Sequence, residues 1–275
     1  MLPILYQDDH LVAIHKPSGL LVHRSELDRH ETRFAVQLLR DQLGRHVHPA
    51  HRLDRGTSGV LLFALDRDTA RALGGQFKRQ EIVKTYLAVV RGHPAERGRI
   101  DHPLSRRRDA VEWVDARGGT DDAQPALTDF HRLACCELPH AVDRYPTSRY
   151  ALLEIEPVTG RRHQIRRHLK HIAHPIIGDT TFGKGRHNRL FQQLFACQRM
   201  LLACTRMQLA HPVHGRPLTL VAPPDGDFAR VVDALGWRPA LPGFMTSAQN
   251  GETPPPAPGR TRGDNSALPP VTQAG

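Results

Sequence analysis

Apolar and polar positions along this chain of 275 residues shift between a two-residue and a helical period, and each shift marks an element. Residues 4–8 (ILYQD) and 11–16 (LVAIHK) read as two short strands around a polar turn, closed by the breakers Pro17, Ser18 and Gly19. Residues 34–43 carry apolar side chains at helical spacing. After a polar, Gly- and Thr-containing loop, residues 60–65 form an unbroken apolar run, predicting a buried strand. Asp66 or Asp68 is placed to cap a helix on which Ala70, Leu73 and Phe77 recur at i, i+3 and i+7. That helix is expected to fray near Gln80, and residues 83–90 return as a strand.

Residues 92–126 are less regular and read as a surface excursion that includes Arg106, Arg107 and Arg108. Strand signals resume at 127–133 and 149–156. A helix is expected from Gly160, with Ile165, Leu169 and Ile172 on one face and Arg161, Arg162, Arg166 and Arg167 in its first turns. Further strands are predicted at 201–209 and 218–221, and a short helix at 228–235. Strands outnumber helices without regular alternation, which favours an α+β fold over a doubly wound one. From Thr246 to the end the sequence is rich in Pro and Gly and has no aromatic residue. Such a segment buries too little apolar surface to offset its ordering entropy, so the expected organisation is one domain over 1–245 and a disordered tail over 246–275.

Composition narrows the function. Lys and Arg number 38 against 28 Asp and Glu, a net charge of +10, and the pI is near 10.1. Clustered cations gain free energy by displacing counterions from phosphates, so a polyanionic partner such as RNA is expected. Cys135, Cys136, Cys197 and Cys204 form no CxxC pair and no disulfide framework. The first residues lack a signal-peptide pattern, and no apolar run is long enough to span a bilayer. A cytoplasmic protein is expected.

The richest chemistry lies at His51-Arg52-Leu53-Asp54-Arg55-Gly56-Thr57-Ser58-Gly59. One carboxylate stands between two arginines in a glycine-flanked loop. Cations on both sides favour its ionised form, which suits a nucleophile; a structural Asp–Arg pair at a tight turn fits the same residues. Lys84-Thr85-Tyr86 sits in a strand-like run, where Tyr86 by itself fits the core better than a pocket. Gly160-Arg161-Arg162-His163-Gln164-Ile165-Arg166 opens the later helix, whose arginines also fit a solvated basic face.

Taken together and in this order, the three segments resemble the HRLD, KxY and GRxHQIR motifs of the RluA-type pseudouridine synthases. The resemblance runs from about residue 3 to 240. It implies the pseudouridine synthase fold: a mixed, mainly antiparallel sheet flanked by helices, with a central basic cleft. It also implies RNA as the substrate, no cofactor and no metal. By the same likeness Asp54 is the nucleophile, Tyr86 stacks on the target base, and Arg166 pairs with Asp54. Arg52 would fill the gap left by an extruded nucleotide. Arg55, Lys84, Arg162 and Arg167 would bind the RNA, with Arg161 and Lys170 adding phosphate contacts.

Residues 17–29, 144–169 and 174–179 carry a narrower likeness, to members that modify uridine 65 of tRNA. Gly56 departs from the Pro usual there, and the tail is longer. No S4-like RNA-binding domain is expected ahead of residue 3, and a monomer is expected. The alternatives are an rRNA-directed synthase, a non-catalytic RNA-binding module, and a metal-dependent nuclease built on His168, His171 and His174 or on His51 and Asp54. Arginines crowd both of those ligand sets and would repel a divalent cation.

Overall fold

The computed structural model describes residues 1–23, 31–105, 123–245 and 250–252. Arg106–Arg108 and nearly all of the predicted tail lie outside the described residues. Strands β1 (Ile4–Gln7) and β2 (Leu11–Lys16) form the first hairpin, followed by α1 (Ala35–Leu43), β3 (His48–Pro49) and β4 (Ser58–Ala64). Helix α2 (Arg67–Lys78) leads to β5 (Val83–Arg91), β6 (Arg97–Asp101), β7 (Leu127–Leu138) and β8 (Ser148–Pro157). Then come α3 (Gln164–His171), α4 (Gly185–Phe195), β9 (Leu202–Ala210), β10 (Pro217–Val221), α5 (Gly226–Ala234) and β11 (Gly251–Glu252).

These strands join one sheet, in the order β1-β2-β4-β9-β5-β8-β7-β6, with β10 and β11 beside β9 and β3 beside β4. Every strand pair is antiparallel except β4 with β9. That parallel contact is short, Ser58 facing Ala203 and Gly59 facing Cys204. A Cβ at Gly59 would lie 2.0 Å from the Cys204 carbonyl oxygen, so no larger residue lets the two strands close.

The pleat assigns side chains to two cores. On β5, Tyr86, Ala88 and Val90 join one core, while Leu87 and Val89 join the other. The first core packs under α1, α2 and α3 through Leu39, Leu73, Ile165 and Leu169. The second packs under α4 and α5 through Phe191, Phe228, Val231 and Val232. The chain is therefore α+β, as its pattern predicts.

Three local expectations change. The excursion at 92–126 contains β6, an edge strand paired with β7, and helix α4 falls where no element is predicted. Helix α3 starts at Gln164 rather than near Gly160, so Arg161 and Arg162 precede it. The cause is His163, whose φ of 55° lies in the left-handed region and cannot continue a helix. Gln164 accepts from the Arg161 amide at 2.9 Å and fixes that bend. Asp66 does cap α2, accepting from Thr69 N at 2.8 Å.

Candidate active site

Asp54 sits in the loop just before β4, and two other segments hold that loop in place. The Thr57 amide closes a turn on the Asp54 carbonyl at 3.0 Å. Ser18 donates to the Gly56 carbonyl at 2.8 Å, and the Gly19 amide donates to the Arg55 carbonyl at 2.8 Å. Lys16, at the end of β2, is fully buried and donates to the carbonyls of Pro17, Leu20 and Arg55 at 2.9, 2.7 and 3.2 Å. Burial, and secondarily Arg199, pulls its ammonium down to about 7, against the attraction of Asp54. From the other side, Arg199 donates to Ser58 Oγ at 2.6 Å.

Helix α3 brings Arg166 to this loop. Its Nη1 donates to Asp54 Oδ2 at 3.1 Å. The rest of the guanidinium is held by Asp179, through Nε to Oδ2 at 2.6 Å and Nη2 to Oδ1 at 2.9 Å. The three side chains form a gradient of exposure: Asp179 0%, Arg166 10%, Asp54 23%. Two-point pairing fixes the plane of the guanidinium as well as its position. Asp179 also accepts from the Thr181 and Phe182 amides, both at 2.9 Å. Burial alone would raise its carboxyl, but Arg166 and these amides outweigh burial and hold it below its usual value. Burial likewise opposes the charge on Arg166, which Asp179 and Asp54 more than restore. Phe182 closes the remaining face, 4.9 Å from the guanidinium carbon.

Asp54 Oδ1 faces the His163 ring, with Nε2 at 3.7 Å. Burial holds that imidazole below its usual value, although Asp54 pulls the other way. The left-handed turn that delays α3 also delivers this ring to the carboxylate.

A cleft of about 810 Å³ runs over these groups. Arg52, Arg55, Arg162, Arg166 and Arg199 line it, and so do Asp54, Asp179, Asp225 and Asp227. Its wall is of mixed charge rather than uniformly basic. Arg52 is exposed. Arg55 is turned to Glu31 and to the Gly19 carbonyl at 3.2 Å. Arg162 is exposed ahead of α3.

Tyr86 is buried on β5, opposite Cys204 of β9. Burial, the Cys204 thiol and the Asp54 charge together hold its phenol well above its usual value. Lys84 lies two residues earlier, 5.8 Å from the Phe77 ring centroid, and burial depresses its ammonium. Arg167 points elsewhere, donating to the Ser105 carbonyl at 2.9 Å and to Ser105 Oγ at 3.2 Å. Arg161 donates to the Pro125 carbonyl at 3.1 Å, and Lys170 stands 5.9 Å from the Phe182 ring.

The histidines weighed as metal ligands do not converge. His168 bonds Thr128 and the His102 carbonyl, His171 stacks on His102 at 3.7 Å, and His174 bonds the Arg91 carbonyl. Among the described residues no group of three or more His, Cys, Asp or Glu is placed to share an ion. Asp179, Lys16 and Arg199 belong to the site but carry no motif signal in the sequence, although Asp179 closes the stretch at 174–179.

Comparison with known proteins adds independent findings. Residues 10–171 match the family described as RNA pseudouridylate synthase. The tRNA pseudouridine synthase C of Pectobacterium carotovorum subsp. carotovorum is 52% identical over 245 residues, covering 89% of this chain and 65% of that protein. The chain thus spans just under two thirds of that relative's length. A protein of the same name from Yersinia pestis is 47% identical, covering 92% of this chain and 100% of its own length. Another, from Vibrio cholerae serotype O1, is 47% identical with coverages of 88% and 98%. Among solved structures, human RNA pseudouridylate synthase domain containing 4 aligns at a TM-score of 0.62 and 28% identity, over 85% of this chain and 93% of that one. Human RNA pseudouridylate synthase domain containing 1 aligns at 0.63 and 25%, over 82% and 84%.

Proposed function

This chain belongs to the RNA pseudouridylate synthase family, and from that premise we propose that it isomerises uridine 65 of tRNA to pseudouridine with Asp54 as nucleophile. The observation that carries the reading is the chain of charge from buried Asp179 through Arg166 to Asp54 at the wall of the cleft.

The reaction breaks the N1–C1′ bond of uridine, turns the uracil, and joins C5 to C1′. N1 gains a proton and C5 loses one, so atoms balance within the substrate and water, and nothing is oxidised. The site must therefore supply a nucleophile, hold the freed base, and exchange protons. Arg166 occupies Asp54 Oδ2, which leaves Oδ1 to attack, at C1′ or at the uracil ring. Because Asp179 holds the guanidinium at two points, Arg166 does not reorganise when charge shifts on Asp54. Tyr86 is buried on β5, two strands from β4, and would have to be uncovered to stack on the uracil.

A uridine within a tRNA stem or loop reaches this carboxylate only by leaving its stack, at a cost of a few kcal/mol. Arg52, exposed at the cleft, is placed to enter the vacated space, and Arg55 and Arg162 to meet phosphates. We read Arg167 as an anchor for the segment at Ser105 and Lys84 as packed against the Phe77 ring. The enzyme acts as a monomer in the cytoplasm, and its catalytic domain reaches past residue 245 to the strand β11 that pairs with β10. No helix among the described residues is long and apolar enough to cross a membrane.

The test is tritium release from tRNA labelled with [5-³H]uridine, followed by mapping of the product. Release that maps to uridine 65 is expected. Release from ribosomal RNA alone would overturn the tRNA assignment, and no release from any RNA would overturn the reaction.

A further inference from the structure

Asp54 Oδ1 is the oxygen that Arg166 leaves free, and the ring of His163 stands beside it with Nε2 at 3.7 Å. That separation is too long for a hydrogen bond, so this edge of the ring is uncommitted. Other donors near Asp54 are taken. Arg166 gives Nε and Nη2 to Asp179 and Nη1 to Asp54, and Lys16 bonds three carbonyls. Arg199 bonds Ser58 and the Met200 and Leu202 carbonyls. His163 lines the cleft with its side chain 23% exposed. Its φ of 55° and a T-shaped contact with the Phe182 ring, centroids 5.7 Å apart, fix where the imidazole points.

Burial depresses this imidazole most; Asp54 opposes burial, Arg166 and Arg162 add to it, and Asp179 opposes it more weakly. The ring is therefore neutral at pH 7, with one N–H and one bare nitrogen. Nδ1 is buried and makes no hydrogen bond among the described residues. A proton there would be a buried donor without an acceptor, whereas the Asp54 carboxylate draws the proton to Nε2. The cleft thus holds a neutral N–H donor beside the free oxygen of Asp54.

We propose that His163 is a further catalytic residue: its Nε2–H donates to a carbonyl oxygen of the target uracil while negative charge builds on the ring. The inference rests on the RNA-modifying reading of the cleft. A substrate atom brought to Oδ1 also meets Nε2, because the two are only 3.7 Å apart. When N1–C1′ breaks, the bonding pair stays with the uracil and its charge spreads over N1, O2 and O4. Attack at the ring loads a carbonyl oxygen in the same way. A fixed donor stabilises that charge without reorganising. No proton changes hands, so His163 leaves the reaction as it entered. A neutral imidazole suits this task, since an imidazolium would pair with Asp54 and quench the nucleophile.

The test compares His163→Gln, which keeps an N–H donor at that reach, with His163→Ala, which has none. Single-turnover tritium release at saturating RNA, RNA affinity and thermal midpoint are measured for both and for wild type. His163→Ala should lose about 100-fold in rate, the effect of deleting one such donor, with affinity within about threefold. His163→Gln should recover at least about tenfold of that loss, and its rate should run parallel to wild type between about pH 6.5 and 9. His163→Gly, relaxed at this φ, takes the place of His163→Ala if the latter does not fold. His163→Ala at the wild-type rate, His163→Gln no faster than His163→Ala, or a loss confined to affinity would overturn the proposal. A limb of the pH profile that disappears in His163→Gln would make His163 a proton-transfer group and overturn it too. A wild type inactive on every RNA would instead sink the reading of the cleft, and this inference with it.

Discussion

Arg166, Arg167 and His168 are consecutive on one short helix, yet the two faces of α3 do different work. Arg166 turns to the cleft, where Asp179 fixes it and Asp54 receives it. Arg167 and His168 turn to the opposite side, where Arg167 donates to Ser105, and His168 donates to the His102 carbonyl and accepts from the Thr128 hydroxyl. On the first face charge is kept close to solvent and to the Asp54 carboxylate. On the second, polar side chains are used up as fasteners. Residue type does not decide between these uses; the partners brought in from other segments do.

Removing the anchor should have the largest effect on this contrast. Asp179→Asn leaves the Arg166 charge buried with only Asp54 to meet it. A broken buried pair costs about 3–5 kcal/mol, and loss of orientation at the carboxylate should lower kcat about 100-fold. Urea denaturation and tritium release measure the two effects. Wild-type turnover in this variant would show that Arg166 needs no anchor.

The opposite face should respond to acid rather than to substrate. Burial, against the help of the His102 carbonyl, holds the His168 imidazole down at about 4, from an ordinary 6.5. The unfolded chain therefore takes up a proton that the folded chain refuses. The stability from neutral His168 is complete above pH 6.5 and is lost as pH falls from 6.5 toward 4. His168→Asn should flatten the slope of denaturation midpoint against pH in that window. An unchanged slope would show that His168 does not set the acid sensitivity of the fold.

The smallest effect is expected at Arg167→Ala, which deletes two hydrogen bonds to Ser105 from a part-exposed side chain. About 1 kcal/mol of stability should be lost, with kcat/KM within about twofold of wild type. A tenfold loss of kcat/KM at unchanged stability would return Arg167 to the RNA-binding set.

Most strands were legible because β2 and β4 each contain an unbroken apolar run, at 11–14 and 60–64, and β5 and β8 alternate between two buried faces. Helix α2 announced itself through Asp66 and its apolar spacing. Helix α4 did not: it begins at a glycine, lacks a capping side chain and buries only His187 and Phe191. Strand β6 buries just Gly98 and Ile100 between exposed or part-exposed polar residues, a pattern too short to count.

At the site, motif order identified Asp54 and Arg166, and the fold places them 3.1 Å apart although 112 residues separate them. Asp179 gave no such signal, since an aspartate after a glycine reads as a turn until the buried guanidinium beside it is seen. The bend at His163 was hidden for a similar reason, because left-handed backbone at a non-glycine residue is imposed by its surroundings.

In the proposed function Asp54 performs the chemistry while the rest of the cleft holds the RNA. That division is tested most directly by single-turnover tritium release with Asp54→Asn beside wild type, RNA affinity being measured on the same preparations. A rate loss of at least about 10³-fold is expected, with affinity within about threefold, because phosphate contacts supply most of the binding. Turnover by Asp54→Asn at the wild-type rate would contradict it.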